Sequence, residues 1–318
     1  MKRSFLLGAL LYGSLWATAC DICGIYLGVL PNDRRSSVGL FWRSRLMSGT
    51  TFLPSTSPLL QLKHGDHAEA GVPSTEAPIT ELINVMELRA DMRIGQRFFA
   101  MASIPVTNSY RGVNGYRLLD EYGLGDPFLL VRYQLMNTRC KTNEVRTVHR
   151  LLVGAGPKIP LGRHDLRIGD ELASPDIQLG TGSWDALATI EYAVRRGRSG
   201  GGVSVLGRYN TANPDGYRLG HGLSITGEVF HRFGTDTLSF APVLGAYTEF
   251  MGYDEDNGEV LTGTGGNTVF AQAGLRLWWN QLAFSAFYQP ALQHNEGIDL
   301  TPTQHRIVVG ITYNLKTN

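Results

Sequence analysis

Residues 84–94 read NVMELRADMRI, a segment in which apolar and charged side chains take turns along the chain. Met86, Leu88 and Met92 share one parity, and the charged residues between them share the other. Because successive side chains of a β-strand point to opposite faces, the charges fall on one face and the long apolar side chains on the other. This two-residue period is typical of a strand with lipid on one side and a polar lumen on the other.

The same alternation returns along the chain. Segments 184–195, 222–229, 269–277 and 306–314 each place apolar residues on one parity and mostly polar or small residues on the other. A soluble β-sandwich alternates as well, with its charges turned towards water. Alternation by itself therefore leaves both folds open.

The lengths of the links between the predicted strands favour a barrel. The predicted strands are 37–47, 82–94, 97–106, 126–136, 146–159, 183–195, 202–210, 222–233, 237–250, 268–279, 282–290 and 304–315. Short and long links follow one another in strict alternation, which is the outer-membrane pattern of short periplasmic turns and long outer loops. The sequence therefore predicts an all-β fold, a transmembrane antiparallel β-barrel of about 12 strands with short periplasmic turns and long extracellular loops.

The composition agrees with a barrel and removes other classes of protein. The 318 residues include 38 Gly and carry a formal net charge of +1, with 18% charged residues. No basic stripe stands out, which excludes a nucleic-acid-binding protein. After residue 19, Arg, Glu, Asp or Gly breaks every apolar run within about ten residues, too early for a transmembrane helix. Only a barrel can then cross the membrane, because its strands satisfy each other's backbone hydrogen bonds.

The N-terminus has the features of a secretory signal peptide. Residues 2–3 are basic, residues 5–16 are mostly apolar and residues 17–19 are small. The apolar run is shorter than the roughly 20 residues that a membrane-spanning helix needs. A lipoprotein cleavage site before Cys20 is the alternative. The expected organisation is a signal peptide at 1–19, an N-terminal periplasmic extension with a CxxC pair and a candidate plug at 20–36, and an outer-membrane β-barrel at 37–318.

Cys20 and Cys23 form the CxxC pair at the start of the mature chain. In an oxidising compartment, neighbouring thiols of this kind close a disulfide, which is the interpretation we favour. Haem attachment requires a His where Gly24 stands, and a thioredoxin-like site requires a βαβ context that is absent. A metal-shuttle role stays open, although zinc or copper normally needs further ligands nearby.

The strand alternation assigns a set of charged residues to the barrel interior. They are Arg43, Glu87, Arg89, Asp91, Arg93, Arg132, Lys158, Glu191, Arg208, Glu228, Arg232, Glu249, Arg276 and Arg306. A water-filled pore can use such charges to select solutes, and a narrow lumen can instead be closed by mutual ion pairs, so both interpretations stay open. We expect no catalytic residue, no resident metal and no cofactor.

Two glycine-rich segments, 123–126 and 180–185, lie where predicted strands re-enter from outer loops. Glycine gives the backbone the freedom that such corners need. Asp126 and Asp185 are predicted to accept hydrogen bonds from local backbone N–H groups, as turn residues do. Contact with a solute at the barrel mouth is the alternative.

Several short motifs resemble those of one known family. They are Gly95–Phe99, Ser103–Val106, Gly123–Pro127, Arg132-Tyr133, Lys158–Gly162, Gly180–Asp185 and Asn213–Tyr217. The chain resembles the outer-membrane transporter proteins known as phenol-degradation meta-pathway proteins, which are distantly similar to fatty-acid and hydrocarbon channels. The resemblance spans most of the mature chain and implies a barrel. A subset of that family has a similar cysteine segment with a further Cys where Ile25 stands here, which weakens any metal or redox inference.

These observations predict an outer-membrane channel or transporter for passive or facilitated passage of a small solute through a charged, narrow lumen. The alternatives are a non-conducting barrel that acts in adhesion or assembly through its outer loops, and a barrel lipid hydrolase. No Ser has an evident His and polar orienter, so we expect no enzyme. The expected partners are outer-membrane lipid, the small solute and the barrel-assembly machinery, and not nucleic acid.

Overall fold

The computed structural model describes residues 36–53, 75–138, 147–235 and 237–315. Its main feature is a closed antiparallel barrel. The barrel strands are β1 (Ser37–Leu53), β2 (Thr75–Ile94), β3 (Phe98–Val113), β4 (Phe128–Asn137), β5 (Thr147–Lys158), β6 (Asp185–Arg196), β7 (Ser199–Tyr209), β8 (Gly222–His231), β9 (Leu238–Met251), β10 (Gly266–Trp279), β11 (Leu282–Glu296) and β12 (Thr303–Asn314). Each overlaps the strand predicted at its place, so the predicted fold class is confirmed.

The barrel closes because its first and last strands pair with each other. On β1, Arg43 is opposite Val85 of β2 on one side and Val308 of β12 on the other. Pairing of β8 with β9, which begins with Gly222 opposite Met251, completes the circle. A closed sheet leaves no strand edge unpaired, as the interior of a bilayer requires.

The two ends of the barrel are built differently. At one end, consecutive strands are joined by short turns such as residues 95–97 and 197–198. Gly95 and Gly197 have φ angles of 68° and 59° there, which is the left-handed region that tight turns use. We call this end the inner mouth, because short turns face the periplasm in outer-membrane barrels.

The opposite end, the outer mouth, carries the long connections and most of the additional structure. It includes a strand that pairs with β3 (Tyr116–Leu124, the arm), the short strands Arg167–Ile168 and Glu171–Leu172, the 3-10 helix Pro175–Ile177, and a small sheet of Tyr217–Arg218, Asp254–Asp256 and Glu259–Leu261. A further short strand, Phe233–Gly234, pairs with β9 at the inner mouth.

Several strands run farther into the outer mouth than the sequence predicts. The link predicted at 48–78 is partly strand, because β1 and β2 stay paired as far as Leu53 opposite Thr75. The link predicted at 107–123 is also strand in part, since β3 continues to Val113 and pairs with the arm. Backbone pairing continues beyond the lipid-facing band, where the apolar alternation that marks a strand in the sequence is no longer required.

The barrel wall is apolar on the outside and polar on the inside. Leu40 and Leu88 are 44% and 50% exposed on the outer surface, whereas Glu87 and Arg89 of the same region are buried. This is the reverse of a soluble protein, which buries its apolar residues, and it suits a wall that has lipid around it and a polar lumen within it. In the described ranges, no helix is long and apolar enough to cross a membrane.

Candidate functional site in the barrel lumen

Glu87 on β2 is the centre of one lumen cluster. Its buried carboxylate accepts hydrogen bonds from Arg89 Nε and Ser103 Oγ, both at 2.7 Å. Arg43 Nη2 lies 3.3 Å from the second carboxylate oxygen. The Arg89 guanidinium also lies 4.6 Å from the centroid of the Phe41 ring, a favourable contact for a cation. Two arginines around one carboxylate leave this cluster with a net positive charge.

Glu249 on β9 is the centre of a second cluster, which joins strands that are not neighbours in the sheet. Arg45 of β1 donates a hydrogen bond to Glu249 at 3.0 Å, although β10, β11 and β12 separate the two strands in the sheet. Arg306 of β12 and Tyr247 Oη also donate to Glu249, each at 2.5 Å. Side chains from strands as far apart in the wall as β1 and β9 therefore meet at one carboxylate, again with two arginines around it.

Two further groups of ion pairs lie along the inner face of the wall. Arg132 of β4 pairs with Asp91 of β2, and it lies 3.0 Å from Glu191 of β6. Arg276 of β10 lies 2.7 Å from Glu228 of β8. In each pair, the two side chains come from strands that have one other strand between them. Side chains can meet in this way only on the concave face of the sheet.

Lys158, the last residue of β5, holds the outer mouth together. Its ammonium lies 2.6 Å from Asp126 and 2.9 Å from Asp185, and it donates a hydrogen bond to Thr181 Oγ1. Asp126 also accepts hydrogen bonds from the backbone N–H groups of Gly162 at 2.9 Å and Thr181 at 2.8 Å. The prediction that Asp126 meets local donors is wrong, because these donors lie 36 and 55 residues away in the sequence.

Residues 159–184, which connect β5 to β6, fold into the outer mouth, and we call them the mouth segment. Leu166, Ile177 and Leu179 of this segment are almost completely buried and form one apolar cluster with Leu119 of the arm. The segment therefore has a small core of its own, which fixes it in place over the lumen.

The mouth segment covers the lumen, and residues 20–36 were predicted as a candidate plug. The plug was predicted at residues 20–36, and residues 20–35 of this range lie outside the described residues, as do Cys20 and Cys23 of the predicted disulfide. For residues 163–182, the sequence predicts only a long outer loop. These residues show neither strand nor helix periodicity, so the sequence does not indicate that they fold back into the barrel.

A cavity of about 90 Å³ remains in the lumen between the clusters. Arg43, Glu87 and Arg306 line it from the central clusters, and Lys158 and Gln178 line it from the outer mouth. A space of this size has room for a few water molecules. Charged side chains therefore line this cavity, and Gln178 and Leu179 of the mouth segment lie on its outer side.

Most of the charged residues predicted to face the lumen meet one another there. The ion pairs include Arg43, Glu87, Arg89, Asp91, Arg132, Lys158, Glu191, Glu228, Glu249, Arg276 and Arg306. Arg208 is buried 3.9 Å from Met251 Sδ, Arg232 donates to Ser239 Oγ, and Arg93 lies on the inner face of β2. Their use in selecting a solute stays a prediction.

Several charged lumen residues were not predicted from the sequence, among them Arg45, Glu81, Arg111, Arg150 and Arg195. Arg45 has the same parity as Arg43 in a predicted strand, so the alternation contained the signal. Glu81 and Arg111, whose side chains meet at 2.5 Å, lie beyond the predicted ends of β2 and β3. They were missed because both strands were predicted too short.

Ser199 Oγ and His231 Nδ1 lie 2.8 Å apart at the inner mouth, where the two residues are opposite each other on β7 and β8. Hydrolysis by a Ser-His pair needs a third group that orients the His. Among the residues that the structure describes, no carboxylate bonds His231, and no group of three or more His, Cys, Asp or Glu could hold a metal ion. The pair is explained as a cross-strand contact.

Neither a protein-family model nor a curated protein sequence matches the chain. Solved structures do match. An outer membrane channel from Pseudomonas putida F1 is similar at 11% identity, with a TM-score of 0.59 over 91% of this chain and 99% of that chain. LpxR from Salmonella typhimurium is similar at 11% identity, with a TM-score of 0.42 over 88% and 100% of the two chains. A mutant of the TodX monoaromatic hydrocarbon channel is also 11% identical, with a TM-score of 0.35 over 90% and 91%.

The first of these structures shares the fold of this chain over nearly its whole length. At 11% identity the likeness concerns the fold alone. The predicted β-barrel fold is confirmed on this basis. A closed barrel with an apolar outer wall and a polar interior belongs in the outer membrane, as predicted. Membership of the phenol-degradation meta-pathway family stays a prediction.

Proposed function

We propose that this chain is an outer-membrane channel or transporter that lets a small solute pass through a narrow, charged lumen. The observation that carries the proposal is the barrel interior, which holds ion-pair clusters centred on Glu87 and Glu249. Buried ion pairs rarely stabilise a fold more than apolar residues of similar volume would. Such ion pairs add little stability to a barrel that is only a scaffold. In a solute path, by contrast, polar groups replace the hydration shell that the solute loses.

The size of the solute follows from the geometry of the path. The cavity between the clusters is about 90 Å³, and residues 159–184 cover its outer side. Passage therefore requires the mouth segment or the side chains beneath it to move. This favours a small solute over the general traffic of wide porins, which have 16 or more strands.

Single-channel recording of the refolded mature chain in planar bilayers tests the proposal. We expect discrete openings of low conductance. Arg276→Gln should shift the ion selectivity, because it removes a positive charge beside Glu228 inside the lumen. Arg117→Gln is the matched control, since the Arg117 side chain is 69% exposed on the arm. Openings whose selectivity is the same in both variants and the wild type would contradict a path along the lumen.

A non-conducting barrel that acts in adhesion or assembly is the second candidate, and the covered outer mouth favours it. A correctly folded, heat-modifiable barrel that stays silent in the bilayer would support this candidate and count against passage. Outer-membrane lipid and the barrel-assembly machinery belong to the proposal as partners in either case. The proposal also includes a relationship to the phenol-degradation meta-pathway transporters, which the motifs at 95–99 and 180–185 support.

A further inference from the structure

Arginines gather on the lumen face near the inner mouth. They are Arg93 on β2, Arg132 on β4, Arg150 on β5, Arg195 on β6 and Arg232 directly after β8. The two-residue alternation of a strand puts Arg93 on the same face as Asp91, and Arg195 on the same face as Glu191. These arginines extend over the part of the wall from β2 to β8, and we call them the arginine half-ring.

Among the described residues, the carboxylates at the level of the half-ring are fewer than its arginines. Asp91 and Glu191 lie at this level, and both are bound to Arg132. In the described part of the chain, Arg93, Arg195 and Arg232 form no ion pair. Guanidinium groups without a carboxylate therefore face the inner end of the lumen.

Two members of the half-ring are placed to receive a ligand. Arg93 Nε is buried without a hydrogen-bond acceptor, which is costly unless a ligand or water meets it. Arg232 is held by a hydrogen bond of 2.9 Å to Ser239 Oγ and lies 5.7 Å from the Trp278 ring centroid. These contacts orient Arg232 without neutralising its charge.

The outer mouth has the opposite balance. Among the described residues, its buried and half-buried carboxylates are Glu81, Asp120, Glu121, Asp126, Asp176, Asp185, Asp254, Glu255 and Glu296, and the Arg and Lys residues among them are Arg111, Lys158, Arg208 and Arg218. An anion is therefore repelled at the outer end of the lumen and attracted at the inner end. Ordinary packing of a barrel does not require this separation of charge along the axis.

We infer that the arginine half-ring is a binding site for small anions that carry two or more phosphate or carboxylate groups, entered from the periplasm. Guanidinium groups present planar pairs of donors that match phosphate and carboxylate oxygens. Several such groups that form no ion pair with a described residue favour a multivalent anion over a monovalent one. The inference rests on the lumen and orientation of the proposed function, and it does not require that the channel conduct.

Isothermal titration calorimetry of the folded, detergent-solubilised chain with inorganic pyrophosphate tests the site. We expect saturable binding at low ionic strength that weakens steeply as salt is added, because the attraction is electrostatic. The double variant Arg93→Gln, Arg195→Gln should bind at least about tenfold more weakly, since it removes two charged hydrogen-bond donors of the site.

The matched control removes two arginines from the outside of the same end. Arg196 follows Arg195 and has the opposite parity, and Arg97 donates to Tyr133 Oη, which lies on the outer face of β4. The double variant Arg97→Gln, Arg196→Gln should keep pyrophosphate affinity within about twofold of the wild type, because neither residue faces the lumen. Heat modifiability shows that each variant is folded.

Equal losses in the two double variants, or no binding by the folded wild type at low salt, would overturn the inference. Failure of the anion site can be distinguished from failure of the proposed passage. A chain that binds pyrophosphate but never conducts would refute the proposed function and leave the anion site standing. A chain that conducts but does not bind pyrophosphate would do the reverse.

Discussion

The inner and outer mouths of the barrel are held together by different kinds of contact. At the inner mouth, short turns join the strands, so residues that meet, such as Arg196 and Ser199, are close in the sequence. At the outer mouth, Asp126 accepts hydrogen bonds from the backbone N–H groups of Gly162 and Thr181, which belong to the connection after β5, two strands farther along the chain. Local chain geometry organises the inner mouth, and long-range polar contacts organise the outer one.

This difference indicates where the lumen can be opened without changing the wall. The wall is fixed by continuous backbone pairing from β1 to β12. The mouth segment instead depends on the contacts of Lys158 and Asp126 and on a small apolar core. Substitutions in these contacts should therefore release the mouth segment while the barrel itself stays closed.

The largest effect is expected for Lys158→Ala. It leaves the buried carboxylates of Asp126 and Asp185 without their cation, and breaking a buried pair in this way costs about 3 to 5 kcal/mol. We expect a lower midpoint of urea unfolding, followed by tryptophan fluorescence, and easier tryptic cleavage within residues 159–184. If the chain conducts, openings should also become larger or more frequent.

The control for this prediction is Arg163→Ala, in the same segment. Arg163 is 56% exposed and its ion-pair distance to Asp165 is 3.3 Å, so its loss should change stability by less than about 1 kcal/mol. Equal effects of the two substitutions would show that the long-range contacts of Lys158 do not hold the outer mouth.

A smaller effect is expected where two backbone segments of the outer mouth cross. A Cβ atom on Gly162 would lie 2.7 Å from Gly180 Cα, too close for any real contact. Gly162→Ala should therefore destabilise the mouth segment by about 1 to 3 kcal/mol, as overpacking does. Hydrogen exchange of residues 159–184 measures the change.

Gly207→Ala is the matched substitution in the wall. The nearest atom to a Cβ there, Ala188 O, is 3.9 Å away, and alanine suits a strand better than glycine does. We expect unchanged or slightly slower exchange in β7. Faster exchange in the wall variant than in Gly162→Ala would contradict the view that the outer mouth is the tightly fitted region.

The comparison also explains how much the sequence could predict. Lipid outside and polar groups inside impose a two-residue period on every barrel strand, and this period is visible in segments such as 84–94 and 184–195. The parity of Glu87 and Arg89 followed from it directly. A lumen position inside a predicted strand is therefore predictable from the sequence, as the overlooked Arg45 also illustrates.

The arrangement of the outer mouth could not be predicted in this way. The contacts of Asp126 with Gly162 and Thr181 join segments that are far apart in the chain, and no periodic pattern marks them. The pairing partners inside the lumen were equally hidden, since alternation gives the face of a residue but not its height along the barrel. For this reason, the sequence alone cannot show whether the lumen charges form ion pairs with one another or line an open pore.

The smallest expected effect concerns the small sheet beside the outer mouth, which contains Asp254. Burial raises the pKa of Asp254 above its ordinary value of 3.8, and nearby Asp176 adds to the increase. Hydrogen bonds from Tyr217 Oη at 2.6 Å and Gly220 N–H at 2.7 Å act in the opposite direction. Because the folded sheet then holds the Asp254 proton more tightly than the unfolded chain does, its stability should fall as pH rises through the raised pKa.

Hydrogen exchange of Asp254–Asp256, corrected for the intrinsic rate and compared at about pH 4 and about pH 7, measures this dependence. Protection should be lower at the higher pH in the wild type. Asp254→Asn cannot titrate and keeps an acceptor oxygen, so its protection should be the same at both. Protection that rises with pH in the wild type would show that the ionised carboxylate stabilises the sheet. The small sheet would then resemble the Lys158 cluster, where carboxylates hold the outer mouth in their charged form.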